Sequence, residues 1–461
     1  MRVCLLNDSF PPVIDGVVNV VTNYASILTE RYGDDVVVAT AHYPEGKYDG
    51  YPYRVVDYPS LDTTTMASGY RTGYPVAFKE NAELMDFAPE VIHLHCPFAS
   101  AFMARILREQ VAAPLVFTYH TKFDEDIARA VKAEVLRKTA IRAVVNNIEA
   151  SDEVWVVSAG AGENLKSLGF NGTYRVMKNG VDFVKGKASP EAVREAVRGY
   201  DLPEGVPVFL YVGRMMRYKG IFLILDALRG LTEAGIDYRM IFVGKGPDAD
   251  ELARKAAEYG IGDKCIFTGP VYDREVLRAI NTRADLFLFP STFDTSGLVV
   301  REAAACGLPA VVIEGSCAAE DVADRHNGYL IRQDAASLCA LLTELVKDLN
   351  AVHAVGDRAM EELYVSWNDS VSAARKRYGE LITAMRAGEL PRAPQKPLDV
   401  LLAAASDSIA DWNRFFKLPG QMAADLREGL QGMLDNISGS KEPRRDIPAR
   451  PEDFPEQRND R

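Results

Sequence analysis

The sequence contains few cysteines, and no two of them are spaced as a CxxC pair. The six are spread along 461 residues and lie mostly in apolar runs, at Cys4, Cys96, Cys265, Cys306, Cys317 and Cys339. Such positions are typical of buried apolar side chains in a reducing compartment. The pattern argues against a disulfide framework and against a zinc site.

Long apolar runs are also missing. No segment approaches the ~20 apolar residues that a helix needs to cross a bilayer. The apolar run within residues 1–8 is too short for a signal peptide. We therefore expect a cytoplasmic protein.

Basic residues are outnumbered by acidic ones. The chain has 53 Lys and Arg against 65 Asp and Glu, a net charge of −12. Because phosphate contacts need clustered basic side chains, we expect no nucleic-acid partner. The hydrophobic fraction of 48% excludes a mostly disordered or fibrous chain. At this length a single core stops growing, so two domains with an appendage are expected.

What the sequence does contain is an alternation of short apolar strands and helices, repeated twice. Runs rich in β-branched residues, such as residues 2–7 and 208–212, alternate with amphipathic segments. This pattern is typical of parallel sheets covered by helices on both faces. It predicts an α/β fold class, with two Rossmann-like doubly wound domains, a cleft between them, a C-terminal helical extension and a disordered tail.

Domain boundaries follow from changes in composition. A stretch rich in charge, Gly and Pro separates the two series, and from residue 439 the chain is Pro-rich and charged without apolar periodicity. The prediction places the N-terminal domain at residues 1–183, the linker at 184–206 and the C-terminal domain at 207–365. The helical extension is predicted at 391–438 and the tail at 439–461. Two short helices are expected in the extension, at 399–417 and 421–437. We assign them to packing on the domain surface, with a partner or membrane contact as the alternative.

Two loops lie at predicted strand-to-helix junctions, where ligands bind in doubly wound sheets. In the first, the segment NDSFPP at residues 7–12 leads to Gly16, whose missing side chain allows a ligand close to the helix amides. The second, residues 213–220, carries Arg214 and Lys219 between two glycines. These two cations can converge on one diphosphate, with solvated surface charge as the alternative. The flanking glycines and the position at a strand end favour phosphate binding.

A third loop is the most informative. Residues 290–297 are small and polar, and a helix is predicted to start near Leu298, so that the amides of Gly297 and Leu298 point at an anion. Asp294 either bonds sugar hydroxyls or is a helix-capping or Asx-turn residue. Glu302, one turn in, either accepts from two ribose hydroxyls or is an exposed helical glutamate.

Other binding motifs are absent from the sequence. It has no GxxxxGK[ST] phosphate loop, no HExxH and no cluster with metal-ligand spacing. His93 and His95 alternate along a predicted strand, so both rings can share one face. With no third ligand evident, we interpret them as strand-end polar residues.

Together these segments resemble the retaining glycosyltransferases of family 4, which have the GT-B architecture. The resemblance spans roughly residues 1–385 and includes two further segments, NGVD at 179–182 and FTGPV at 267–271. Trp367 followed by a helix resembles the C-terminal helix that crosses back to the first domain in such enzymes, so residues 366–390 are assigned to it. The segment TYHTKFDED at 118–126 resembles the corresponding stretch of bacterial diacylglycerol glucosyltransferases.

The resemblance implies a role for each candidate residue. Gly16 approaches the donor diphosphate, and Arg214 and Lys219 neutralise the leaving phosphates. The backbone near Val271 contacts the nucleotide base, and Glu302 holds the ribose.

Sugar contacts are implied in the same way. His120 faces the sugar near the reacting carbon. Asp294 contacts the transferred sugar and phosphate together with the backbone of Thr295, Ser296, Gly297 and Leu298. The family usually has Glu in place of Asp294, and Thr295-Ser296 replaces the commoner Gly-Phe. These departures leave the contact of the shorter acid, and the identity of the donor sugar, open.

A mechanism is implied as well: a hexosyl group moves from a nucleotide diphosphate sugar with retention, and the departing phosphate oxygen helps to deprotonate the acceptor. Fixed cations and helix-end amides take the place of a metal. We therefore expect no metal and no other cofactor. UDP, with UDP-glucose as donor, follows from family prevalence, and ADP and GDP are the alternatives.

The acceptor is the least defined part. The helix predicted after residue 126 carries basic residues among apolar ones, at Arg129, Lys132, Arg137, Lys138 and Arg142. A cationic amphipathic helix can lie on an anionic membrane, which favours a lipid acceptor such as diacylglycerol and a peripheral position on the inner face of the cell membrane. The alternatives are a soluble glycan or small-molecule acceptor, a nucleotide-sugar-binding protein without transferase activity, and an epimerase or other enzyme of GT-B type.

Overall fold

The computed structural model describes residues 1–13, 15–63, 70–130, 133–393 and 395–417. The helix predicted at 421–437 and the tail predicted at 439–461 lie outside this range. No helix of the described residues is long and apolar enough to cross a membrane.

The first domain is built on a seven-stranded parallel sheet in the order β3-β2-β1-β6-β7-β8-β9. The strands are β1 (Arg2–Asn7), β2 (Asp35–Ala41), β3 (Arg54–Tyr58), β6 (Val91–Leu94), β7 (Leu115–Tyr119), β8 (Glu153–Val156) and β9 (Arg175–Val176), with a small antiparallel pair β4 (Ser60–Asp62) and β5 (Arg71–Gly73) beside them. The helices are α1 (Gly16–Tyr32), α2 (Phe78–Phe87), α3 (Ala99–Gln110), α4 (Phe123–Ala130), α5 (Glu134–Ile148) and α6 (Ala159–Ser167). The central strands are buried along their length because helices cover both faces.

The second domain has a six-stranded parallel sheet in the order β12-β11-β10-β13-β14-β15. Its strands are β10 (Val208–Val212), β11 (Arg239–Val243), β12 (Cys265–Gly269), β13 (Leu286–Phe289), β14 (Ala310–Ile313) and β15 (Tyr329–Ile331). Its helices are α7 (Pro190–Ala196), α8 (Ile221–Glu233), α9 (Ala249–Glu258), α10 (Arg274–Arg283), α11 (Leu298–Ala305), α12 (Ala335–Leu345) and α13 (Leu349–Glu362). The predicted fold class of two doubly wound α/β domains is confirmed.

Two helices complete the described chain. Helix α14 (Trp367–Arg386) packs into the core of the first domain, where Tyr378 stacks on Trp155. Helix α15 (Pro397–Phe416) packs on α2 and α3 and buries Ile409, as expected for surface packing. Its opposite side leaves Val400 and Leu401 exposed.

Some local predictions were wrong. The predicted linker contains helix α7, because Ser189 caps it by accepting from the amide of Ala192 and Pro190 occupies its first turn. The single helix expected over residues 126–150 is two helices, α4 and α5. Strands β3, β4, β5 and β15 were not foreseen, since three-residue and edge strands carry little periodicity.

Candidate active site

The loops that follow β7, β8 and β13 meet at the interface of the two domains. Thr295 Oγ1 donates to the carbonyl of His120 at 2.7 Å, and Ser158 Oγ donates to the carbonyl of Thr295 at 2.5 Å. Lys122 Nζ adds a bond of 3.1 Å to the carbonyl of Thr292. The loop predicted to hold the donor is therefore fixed to the carboxyl ends of two strands of the first sheet.

Lys219 and Asp294, both predicted site residues, are in direct contact. Lys219 Nζ lies 2.5 Å from Asp294 Oδ1, and the other carboxylate oxygen accepts from Ser291 Oγ at 2.6 Å. Three aromatic rings surround the ammonium group at under 6 Å, those of Tyr218, Phe289 and Phe293. Asp294 does not cap α11, so the capping alternative is wrong.

A glycine makes this contact possible. Gly220, directly after Lys219, has φ +77°, and a Cβ there would lie 2.2 Å from the carbonyl oxygen of Pro290. Only a residue without a side chain lets the two loops approach so closely. The glycine thus brings Lys219 against the end of β13.

Arg214 is placed differently. Its backbone is held, because its carbonyl accepts from the Tyr211 hydroxyl at 3.0 Å. Its side chain is exposed and forms no ion pair with any described residue. The structure thus brings Lys219 to Asp294 and does not join Arg214 to either of them.

Helix α11 begins at the predicted position. Gly297 precedes it with φ +56°, and Leu298 is its first residue. Neither amide donates to another described residue, so this helix end presents free N–H groups beside Asp294. Thr295 and Ser296 lie in the same loop and are partly buried.

Glu302 is not an exposed helical glutamate. Its side chain is 14% exposed and bonds to the guanidinium of Arg274, which also lies 3.5 Å from Asp182. Burial raises the pKa of Glu302, and Arg274 opposes that shift. Val271, the predicted base contact, lies two residues beyond β12 and packs partly buried against the domain core.

Gly16 is exposed at the start of helix α1, and among the described residues outside its own helix and chain neighbours no atom lies within 4 Å of the place of a Cβ. The preceding Asp15 caps the helix by accepting from the amide of Val18 at 2.7 Å. Asp15 also accepts from the hydroxyls of Ser9 and Tyr70. One carboxylate of the chain therefore already occupies part of the helix end where a diphosphate is expected.

His120 follows β7 and is buried beside two other histidines. Its Nε2 lies 3.0 Å from His95 Nδ1, and the two rings stack. His93 bonds instead to Tyr378 and Thr118. Burial lowers the pKa of His120 to about 3 and the pKa values of His93 and His95 well below the usual range. All three are therefore neutral imidazoles at physiological pH.

Four residues of this region had no assigned function: Arg274, Asp182, His95 and Ser158. Asp182 is the last residue of the NGVD segment and accepts from the indole N–H of Trp367 at 2.6 Å. Because that segment was already singled out in the sequence, it could have indicated a role for Asp182. His95 was found but taken as a strand-end residue. Nothing in the local sequence of Arg274 or Ser158 signals a partner that stands far away along the chain.

Comparisons with known proteins cover both domains. A family described as "Glycosyltransferase Family 4" matches residues 14–185, and one described as "Glycosyl transferases group 1" matches residues 192–362. The sulfoquinovosyl transferase SQD2 of Arabidopsis thaliana is 25% identical over 373 residues, which are 78% of this chain and 70% of that protein.

A bacterial relative and a solved structure agree with these matches. The alpha-monoglucosyldiacylglycerol synthase of Streptococcus pneumoniae is 21% identical over 369 residues, 78% of this chain and 82% of that protein. The structure of a sucrose-phosphate synthase from Thermosynechococcus elongatus superposes with a TM-score of 0.65 at 21% identity, covering 83% of this chain and 99% of that one. At this identity the superposition establishes the fold alone.

Proposed function

The chain belongs to the glycosyltransferases of GT-B fold that join a family 4 domain to a group 1 domain and use a nucleotide-sugar donor, and on that premise we propose its reaction. It moves a glucosyl group from UDP-glucose to a membrane lipid such as diacylglycerol, with retention and without a metal. The observation that carries the proposal is the Lys219–Asp294 pair, whose acid lies in the loop before α11, where the next residue, Thr295, bonds to the carbonyl of His120.

The leaving group is stabilised by fixed positive charge. Breaking the bond from the anomeric carbon to the diphosphate oxygen develops negative charge on the diphosphate. The ammonium of Lys219, the guanidinium of Arg214 and the amides of Gly297 and Leu298 supply positive charge to stabilise it. These groups do the work that a divalent cation does elsewhere.

Asp294 has a second task. When Lys219 bonds to a phosphate instead, the carboxylate oxygen of Asp294 that it held becomes free to accept a hydrogen bond from a hydroxyl of the sugar. The acceptor oxygen then bonds to the anomeric carbon on the face that the diphosphate leaves, and the acceptor proton passes to the departing phosphate oxygen. His120 and the Thr295 backbone lie on the first-domain side of this exchange.

Glu302 and Arg274 serve the nucleotide in this proposal. A buried carboxylate with one oxygen bonded to Arg274 has capacity left for two neighbouring ribose hydroxyls. Val271, beyond β12, lies at the edge of the sheet assigned to the base. Gly16 approaches the phosphates from the first domain, beside the Asp15 cap.

A lipid acceptor is supported by the surface of α5 and by the two relatives. Val135 and Leu136 are 76% and 62% exposed, and Lys138 and Arg142 stand exposed on the same helix. Apolar tips among cations favour an anionic bilayer surface. The printed name of the Streptococcus pneumoniae relative is that of an enzyme making a glucosylated diacylglycerol. A peripheral position on the cytoplasmic face of the membrane follows.

The deciding experiment measures nucleotide release from UDP-, ADP- and GDP-sugars, with diacylglycerol vesicles, with soluble glycans and with no acceptor, each with and without EDTA. We expect release from UDP-glucose with diacylglycerol, insensitive to EDTA, and an α-linked product. Release without any acceptor indicates an epimerase or related enzyme, and no release from any donor indicates a binding protein. Loss of activity in EDTA that magnesium restores contradicts the metal-free mechanism.

A second measurement tests the membrane surface. V135S/L136S is expected to weaken sedimentation with anionic vesicles severalfold and to leave donor-dependent release with dispersed acceptor unchanged. V400S/L401S, which alters equally exposed apolar residues on α15, is the matched control. Equal sedimentation of all three proteins rules out α5 as the contact.

A further inference from the structure

The buried histidines of the first domain form a pair and a separate branch. His95 Nδ1 and His120 Nε2 lie 3.0 Å apart, and the second nitrogen of His95 is buried with no hydrogen-bond partner among the described residues. His93, two residues earlier on β6, has both nitrogens satisfied, by the Tyr378 hydroxyl at 2.5 Å and the Thr118 hydroxyl at 2.7 Å. The His95–His120 bond is therefore independent of the branch through His93.

A hydrogen bond between two neutral imidazoles contains one proton, which belongs to one of the two rings. Because each neutral ring carries one proton in all, the position of that proton decides whether each remaining ring nitrogen is protonated. If His120 Nε2–H is the donor, His95 carries its own proton on Nε2. That N–H is then buried with no hydrogen-bond acceptor among the described residues; the rings of Tyr24 and His93, which pack on His95, are at best weak acceptors. If His95 Nδ1–H is the donor, its Nε2 is a bare acceptor, and under-satisfied acceptors are found in protein interiors more often than orphaned N–H groups.

The second arrangement determines the tautomer of His120. With Nε2 accepting from His95, His120 carries its proton on Nδ1. That nitrogen makes no hydrogen bond with any described residue, and it belongs to a residue whose carbonyl is held by Thr295 of the donor loop. His120 then offers an N–H, and no lone pair, to a ligand in the crevice.

We propose that His95 is a positioning residue that locks His120 in the Nδ1–H tautomer, so that His120 acts as a hydrogen-bond donor to the transferred sugar. The effect on transfer rests on the proposed function. The tautomer does not, because it is a property of the protein without substrate.

The test is 15N NMR of the full chain labelled at histidine, in which long-range proton–nitrogen correlations distinguish a protonated ring nitrogen from a bare one. The chain has six histidines, and the signals of His120 are assigned by their loss in H120Q. We expect His120 to have a protonated Nδ1 and a bare Nε2. A protonated Nε2 on His120 overturns the proposal, whatever the activity of the enzyme.

Three variants connect the tautomer to turnover. H95N keeps a side-chain N–H near the place of Nδ1 and is expected to retain the tautomer and most of kcat. H95L removes the donor and is expected to mix the tautomers of His120 and to lower kcat about tenfold, the effect of one misdirected hydrogen bond. Y378F removes a buried hydroxyl from the His93 branch and is expected to change neither reading.

Each outcome decides the matter. A folded H95L that keeps a pure Nδ1–H signal on His120 contradicts the proposal. If H95L does not fold, loss of the Nδ1–H signal in H95N, which retains a donor, contradicts it equally. Correct tautomers in an enzyme with no transferase activity sustain the positioning role and refute only the proposed function.

Discussion

At the scale of single residues, the site is a set of charges paired within the protein. Both acids predicted to contact the donor have a cationic partner, Asp294 in Lys219 and Glu302 in Arg274. Pairing keeps these carboxylates in place without requiring them to be solvated. A diphosphate attracts the Lys219 ammonium more strongly than the Asp294 carboxylate does, because it carries more negative charge.

Lys219 is expected to matter for turnover far more than for stability. K219A should lower kcat/KM for the donor about 10²–10³-fold by removing a charge from the leaving group. The free energy of unfolding should change by about 1 kcal/mol, since Ser291 still donates to Asp294. Urea unfolding and nucleotide release measure the two effects.

The matched control is R217A, which removes an exposed arginine that pairs with Glu251 on the surface of the second domain. It should leave both quantities near those of the parent protein. Parent-level transfer in K219A would show that the ammonium does not contact the leaving group.

The buried histidines predict a loss of stability in mild acid. Unfolded imidazoles take up protons near pH 6.5, whereas burial holds the pKa of His120 at about 3 and lowers those of His93 and His95 as well. Between these values the unfolded state binds more protons than the folded state. The free energy of unfolding therefore falls as the pH drops below about 6.5, by up to about 1.4 kcal/mol per pH unit for each histidine.

Urea midpoints measured from pH 7.5 to pH 5 give this slope. H120N should reduce this slope by about the contribution of one bound proton, because the substitution removes one of the buried imidazoles. A free energy of unfolding that is flat over the window would mean that the imidazoles are not buried neutral in solution.

At the scale of elements, the site depends on how close two loops can come. The loop after β10 and the loop after β13 touch at Gly220 and Pro290, and the contact carries Lys219 to Asp294. Another glycine after a strand of this domain also allows a close backbone contact: a Cβ on Gly244 would lie 1.9 Å from the carbonyl oxygen of Gly213. Loop geometry here is therefore set by backbone contact.

Gly220 and Gly235 form a test of this contact, because both have φ near +75° but only Gly220 faces another loop. G235A should cost about 1 kcal/mol of unfolding free energy, from backbone strain alone. G220A should cost about 3 kcal/mol and lower kcat as Lys219 moves, because its Cβ collides with Pro290. Urea unfolding with parallel kinetics separates strain from displacement, and equal effects of the two substitutions would contradict the account.

At the scale of the whole molecule, hydrogen bonds and ion pairs between side chains and backbone groups join the two domains. Thr295 bonds to His120, Ser158 bonds to Thr295, Lys178 pairs with Asp321 at 2.6 Å, and Glu320 accepts from the amide of Ala159 at 2.8 Å. The carboxylate of Glu320, from the second domain, lies against the first amides of α6, where the helix dipole favours a negative charge. Closure of the domains thereby assembles groups from both sheets around one point.

Glu320 is expected to control how far the domains close. E320A should raise the donor KM severalfold and increase the radius of gyration seen by small-angle scattering, with a smaller effect on kcat. E314A, which alters an exposed acid six residues earlier on the same domain, should leave both unchanged. An unaltered radius and KM in E320A would show that its bonds to α6 are incidental.

The order of strands and helices was readable because buried parallel strands are continuous apolar runs, as at residues 208–212. The same reasoning missed β15, which has three residues, and the break between α4 and α5. For the candidate site, the sequence predicted Lys219, Asp294 and Glu302 from their place at strand and helix ends, and the structure shows that each has a charged partner. It did not reveal Arg274, because a partner 28 positions away leaves no mark in the local pattern.

The sequence by itself determined the two-domain α/β class, the crevice loops and the family, since these depend on local periodicity and on motifs of a few residues. Tertiary structure alone decided which side chains pair: Lys219 with Asp294 and Glu302 with Arg274 as ion pairs, and His95 with His120 through a hydrogen bond. Such pairings join residues distant along the chain. They are set by how strands and helices pack in three dimensions, and no local pattern of residues encodes them.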